Sequence, residues 1–218
     1  MKRPVIMAIA AVSVAAVIAL LIYGFNRHEQ RPAPDHRDSL GDALVRSHSP
    51  VIGSPTSPVT IVEFLDPACE GCRAIYPHVK QILADHAGEV RLVVRYVPFH
   101  GQISIDAVRI LEAARDQGKF EDVLTAMFET QPMWANHDTP DPERAWQVAA
   151  QAGVDLERAR AHVASDVTEK RIAQDIADLR TVGIKSTPTF YVNGKLLPKP
   201  DPVMLREMVM AEVARAID

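Results

Sequence analysis

Two cysteines stand three apart as Cys69-Glu70-Gly71-Cys72, and the 218-residue sequence contains no others. Thiols at this spacing can exchange with a disulfide, hold a soft ion such as Cu(I), or close a small structural bridge. A bridge across so short a loop gains little from loop entropy. A disulfide scaffold would spread more cysteines along the chain to close long loops. Zinc would need a second Cys or His pair at ligand spacing, and the eight histidines include no HxxxH or HxxH pair. The Cu(I) reading lacks a Met-rich or additional Cys/His ligand set. Thiol–disulfide exchange is therefore the leading reading. It needs a thiolate to attack, a second thiol to resolve the mixed disulfide, and a proton acceptor for that second thiol.

The surrounding elements supply those roles. Val59 to Leu65 (VTIVEFL) is a β-rich apolar run suited to a strand buried on both faces. Glu63 lies inside it, where an unpaired carboxylate is costly, so its pKa should rise and it could shuttle a proton. After Asp66-Pro67-Ala68 comes a helical pattern, with Cys72, Ile75, Val79, Ile82, Leu83 and His86 at spacings of three and four. That places Cys69 at a helix N-terminus, where free N–H groups and the dipole favour a thiolate. Cys72 should lie one turn inward, buried. Val90 to Val97 is a second strand, parallel to the first in a βαβ unit. Pro98-Phe99-His100 follows it and should end near Cys69, which makes His100 a candidate to border a substrate or tune the thiolate.

Gln102 to Arg180 reads as mostly helix, including one stretch from Leu156 to Leu179, with Met133 and Trp134 in a loop. Thr187-Pro188 precedes Thr189 to Val192, and Asn193-Gly194 between two apolar runs predicts a type I′ hairpin. A helix from about Asp201 to Ile217 closes the chain, with Met204 and Met208 on its core side. The order is α/β: strand, helix, strand, helical block, hairpin, helix.

The N-terminus has a different composition. Val5 to Phe25 is almost wholly apolar and, at about 1.5 Å per residue, spans roughly 30 Å, the thickness of a bilayer core. No A-x-A site follows it, so residues 1–25 read as a retained transmembrane anchor rather than a cleaved signal. Residues 26–50 read as a polar, proline-bearing tether with a short helix near Leu40 to Arg46, and 51–217 as the folded domain. A net charge of −4 with acids and bases interspersed excludes a nucleic-acid stripe.

Four features together carry a family resemblance. They are the strand around Glu63, the Cys69–Cys72 motif, Pro77 five residues after the second cysteine, and Gly183-Ile184-Lys185-Ser186-Thr187-Pro188-Thr189-Phe190. In this order they resemble the DsbA-like family of bacterial extracytoplasmic thiol–disulfide oxidoreductases, over roughly Val51 to Ile217. The resemblance implies a thioredoxin fold with a helical insertion at about 102–182. It implies a cis Pro188 beside the cysteines, with Thr187 offering main-chain groups to an extended substrate. Cys69 would be the nucleophile, Cys72 the resolving thiol and Glu63 the proton shuttle, with no cofactor. The expected substrates are exported cysteine-containing proteins, recycled by a membrane or periplasmic redox partner. The catalytic domain would lie in the periplasm, anchored to the bacterial inner membrane.

Two departures leave the direction of exchange open between oxidase and isomerase or reductase. Glu70 and Gly71 stand where the family's strongest oxidants carry a histidine, and Thr187 before the proline looks more like the isomerases. With Glu70 as a nearby anion, the expected Cys69 pKa is about 6–7 rather than the roughly 3.5 of the strongest oxidant.

Overall fold

The computed structural model describes residues 36–217. Helix α1 (His36–Leu44) leads to the short strand β1 (Val51–Ile52), then β2 (Val59–Leu65), α2 (Glu70–Asp85) and β3 (Val90–Tyr96). A helical block follows, of α3 (Gln102–Asp116), α4 (Phe120–Glu129), α5 (Gln131–Trp134), α6 (Pro142–Gln151), α7 (Leu156–Val163) and α8 (Asp166–Val182). Then come β4 (Thr189–Val192), β5 (Lys195–Leu196) and α9 (Pro202–Ile217). The apolar span Val5–Phe25 and most of the tether lie outside the described residues. Among the described residues, no helix is long and apolar enough to cross a membrane.

The sheet runs β1-β3-β2-β4-β5. Strands β2 and β3 are parallel, from Val59 opposite Val90 to Leu65 opposite Tyr96, as the βαβ pattern requires. Strand β4 returns antiparallel to β2, with Glu63 opposite Phe190. The hairpin turn has positive φ at both Asn193 and Gly194, which is the type I′ conformation that matches the twist of the flanking strands. The period of two sorts side chains between the faces. Val59, Ile61, Leu65, Leu92 and Val94 join α2, α9 and the insertion in one core. Val62, Phe64, Val93 and Tyr191 pack on the other face against Leu44 and Leu179.

The chain from Leu40 to Pro50, expected as the end of a tether, is part of the fold. Ala43 and Leu44 are buried, and β1 adds an antiparallel strand beside β3. What holds this segment is a buried charge cluster. Arg95 on β3 is fully buried and donates to Asp175 at 2.8 Å, to Asp178 at 2.6 Å and to the Ala43 carbonyl. Arg46 reaches Asp178 at 2.7 Å and His48 reaches Asp175 at 3.0 Å. The partners of Arg46 and His48 lie about 130 positions away, so composition alone made the segment look like a linker.

Three smaller expectations are corrected. Leu156 to Leu179 is two helices, broken at Ala164 and Ser165, where Ser165 occupies the N-cap of α8. Met133 and Trp134 belong to the short helix α5, with Trp134 wholly buried and Met133 exposed. Helix α9 turns Leu205, Val209 and Val213 inward at spacings of four, which leaves Met204 facing solvent and Met208 half-buried.

Candidate active site

The site lies where β2 ends and α2 begins. Cys69 is the N-cap of α2, with extended φ and ψ of −81° and 124°, so the unpaired amides of the first turn face its sulfur. Cys72 is fully buried one turn inward, and both are free thiols. The peptide between Thr187 and Pro188 is cis. This loop abuts the cysteines: the Cys69 Sγ lies 3.4 Å from the Thr187 carbonyl oxygen. Gly71 eases this approach, since a Cβ there would sit a tight 3.2 Å from Pro188 Cδ, though at an ordinary 3.5 Å from Cys69 Sγ.

The two thiols are driven apart in acidity. The Cys69 pKa is drawn down to about 5, first by the hydrogen bond from the Cys72 thiol and against the opposing effect of burial. The Thr187 side chain and the amides of Cys72 and Gly71 add to that pull. The Thr187 carbonyl acts the other way, because it can accept only from the protonated thiol. The value lies below the expected 6–7. The missing contributions came from the Cys72 thiol and from the Thr187 side chain, the latter 118 positions away. Burial pushes the Cys72 thiol well above its ordinary range, and the Cys69 and Glu63 charges push it further.

Glu63 is fully buried, and neither carboxyl oxygen has a hydrogen-bond partner among the described residues. Burial, then the charge of Cys69, raises its pKa to about 8. Its parity with Ile61 and Leu65 turns it toward the core that holds Cys72. The Glu63 charge raises the Cys72 pKa, and this closeness suits a proton exchange between them.

His100, at the end of the β3 loop, also reaches the site. Its Nδ1 lies 2.7 Å from Asp66 Oδ2, in the turn that enters α2. Glu70 points outward to His137, with Nε2 to Oε1 at 2.8 Å. The Glu70 pKa is lowered, first by its own backbone amide and then by His137.

Sequence reasoning did not single out Asp66, Gln131 or His137. The buried Gln131 Nε2 donates to the carbonyl oxygens of Pro67 (2.8 Å) and Cys69 (3.0 Å), tying the insertion to the active-site turn. Asp66 had a local signal, an acidic residue just before a helix start. Gln131 and His137 had none, since each meets the site across more than 60 positions. Glu70, Arg73, Gln131 and His137 line a cleft of about 150 Å³ beside the motif.

The thioredoxin family pattern matches residues 46–211. The chain belongs to the thioredoxin family. Its solved neighbours are DsbA-like oxidoreductases. A thioredoxin-like oxidoreductase from Silicibacter pomeroyi is 30% identical, with a TM-score of 0.67 over 80% of this chain and 96% of that one. Oxidised BdbD from Bacillus subtilis is 26% identical, with a TM-score of 0.67 over 76% and 93%. Among curated relatives, disulfide bond formation protein D of Bacillus subtilis is 29% identical over 163 residues, covering 68% of this chain and 69% of the relative. A Na+/H+ antiporter, NhaA 3 of Salinispora tropica, is 33% identical over 150 residues. That match takes in 66% of this chain and 22% of the antiporter, so the chain spans about a fifth of that relative's length.

Proposed function

We propose that the chain is a protein disulfide oxidoreductase working by dithiol–disulfide exchange at Cys69 and Cys72. The observation that carries this reading is the 3.4 Å approach of the Cys69 sulfur to the Thr187 carbonyl oxygen, which sets an acidic thiol against a main-chain edge. An extended substrate pairing with that edge would bring its own sulfur to Cys69 whatever its sequence, as main-chain recognition allows. His100 borders the same surface.

In the oxidising direction a substrate thiolate attacks Cys69 of the Cys69–Cys72 disulfide. A mixed disulfide forms and Cys72 leaves as a thiolate, which takes the proton held by Glu63. A second substrate thiolate attacks the substrate sulfur of the mixed disulfide and releases Cys69. The substrate loses two electrons and the enzyme gains them. Run backward, Glu63 deprotonates Cys72 so that it can attack Cys69. The acidity of Cys69 favours the oxidising direction, because a stabilised thiolate stabilises the reduced enzyme and raises its potential.

The substrates in this reading are exported proteins with cysteines, and a membrane or periplasmic partner restores the enzyme. The apolar Val5–Phe25 segment is long enough for a single inner-membrane anchor, and the resemblance to extracytoplasmic oxidoreductases supports placing the folded domain outside the cytoplasm. The name of the Bacillus subtilis relative supports disulfide formation as the task. An insulin-reduction assay with Cys69→Ser tests the core of the reading. Loss of turnover is expected. Unchanged turnover, or tight stoichiometric Cu(I) binding by a parent protein without exchange activity, overturns it.

A further inference from the structure

We propose that His100, oriented by the buried carboxylate of Asp66, is the cationic partner that holds Cys69 as a thiolate. This deepens the reading of Cys69 as the nucleophile and rests on it. The Glu70-Gly71 dipeptide brings no cation to the sulfur, and Glu70 turns outward to His137. A positive charge has to come from elsewhere in the fold, and the loop after β3 supplies one.

The geometry fixes the imidazole firmly. Asp66 is wholly buried and accepts four donors: the amides of Ala68 (2.9 Å), Phe99 (2.8 Å) and His100 (3.1 Å), and the His100 ring Nδ1 (2.7 Å). The same residue's carbonyl accepts the Cys69 amide at 3.1 Å. His100 and Cys69 are therefore tied to one residue, and no long flexible side chain intervenes. The three amides satisfy much of the Asp66 charge, so the pair acts as a dipole with its positive end on the half-exposed imidazole.

Three of the four groups facing His100, namely Asp66, Cys69 and Glu70, favour its charged form. Asp66 comes from the turn after β2, Cys69 and Glu70 from the start of α2, and His137 from the segment after α5, with ring centroids 5.7 Å apart. His137 is itself paired with Glu70. Burial works against the His100 cation, but the Asp66 hydrogen bond and the charges of Asp66, Cys69 and Glu70 outweigh it and raise its pKa. Coupling of this kind is reciprocal: an imidazolium favoured by the Cys69 thiolate favours that thiolate equally. His100 is thus a positioning residue for charge, and Asp66 acts through it.

The test is a pH titration of Cys69 by its ultraviolet thiolate absorbance in reduced full-length protein, with Cys69→Ser as the blank. His100→Gln should raise the midpoint by about one pH unit, a tenfold loss of thiolate below it. The same change should make the protein more reducing by about 30 mV. His100→Arg, a permanent cation, should keep the parent midpoint. Asp66→Asn should move the midpoint as His100→Gln does. Because Asp66 is buried and its variant can lose the fold, the two His100 variants decide the matter. A parent-like midpoint in His100→Gln overturns the proposal, and a change confined to KM for protein substrates would make His100 a substrate contact instead. An exchange assay on the parent reports separately on Cys69 as the nucleophile.

Discussion

Gln131 Nε2 lies 3.0 Å from the carbonyl oxygen of Cys69, so a side chain of the helical insertion holds the main chain of the nucleophile. It also holds Pro67, and it is almost fully buried. Replacing it with leucine leaves two carbonyls without their donor, at a cost of about 1–3 kcal/mol. Gln131→Leu should lower the urea midpoint accordingly. Because the freed carbonyls belong to the active-site turn, its exchange rate should fall more than that of an equally destabilising substitution in α7. Equal losses would show that Gln131 serves stability alone.

Glu63 should reveal itself in the pH dependence of stability. The folded protein keeps this carboxyl protonated up to a pH of about 8, whereas the unfolded chain releases the proton near 4.5. Between those values the native state binds the extra proton, so Glu63 makes stability fall as pH rises through that window. Glu63→Gln removes the penalty and should stabilise the protein by about 3 kcal/mol at pH 7. The same variant should slow resolution by Cys72, so that mixed disulfide accumulates with a disulfide substrate. Chemical denaturation across pH 4–9, with trapping of the mixed disulfide, measures both effects. Parent-like behaviour in both would remove Glu63 from the mechanism.

Gly71 faces the cis-proline loop, with little room for a side chain. An added Cβ at 3.2 Å from Pro188 Cδ meets a rigid, buried ring, so the cis-proline loop or the start of α2 has to shift by a few tenths of an ångström. Gly71→Ala should keep its helix content, since alanine is the better helix former. Exchange should slow by about tenfold, because misplacement of reacting groups is costly even on that scale. Turnover measured beside circular dichroism checks this, and unimpaired exchange would show that the contact has no functional weight.

Arg95 carries the largest structural risk. Asp175 and Asp178 are also buried, and removing the cation between them leaves two carboxylates to be compensated by Arg46 and His48 at the edge. Arg95→Leu should cost about 3–5 kcal/mol, the range for breaking a buried pair from one side. The loss should show first as protease sensitivity of the Leu40–Pro50 segment. In the parent, burial works against the Asp178 charge, but Arg46 and Arg95 hold its pKa below the ordinary value of 3.8. Its contribution is therefore present above that pH and is lost as pH falls below it.

Much of the site was legible along the chain. The Cys69–Cys72 pair, an acidic residue in an apolar strand, Thr187-Pro188 and the Asn193-Gly194 turn are short patterns whose physical meaning does not depend on distant neighbours. Glu63 could be placed in the core because a period of two with apolar residues on both sides leaves it no exposed face. The break at Ser165 was harder to see, because the apolar spacing continues across it and the N-cap residue is a single serine. The packing of Leu40 to Pro50 was hidden for another reason. Its charges suggested solvent, while their partners lie in α8.

The sequence by itself determined the order of elements, the two thiols, their place at a helix start and the buried acid beneath them. These follow from periodicity, helix-end chemistry and turn preferences, all of which act over a few residues. Only the tertiary structure decided how acidic Cys69 is, because Thr187 reaches its sulfur from another element. It also decided that Asp66, Gln131 and His137 belong to the site at all. Hydrogen bonds and charge coupling act through space, and folding brings together side chains that a linear reading keeps more than 30 to 100 positions apart.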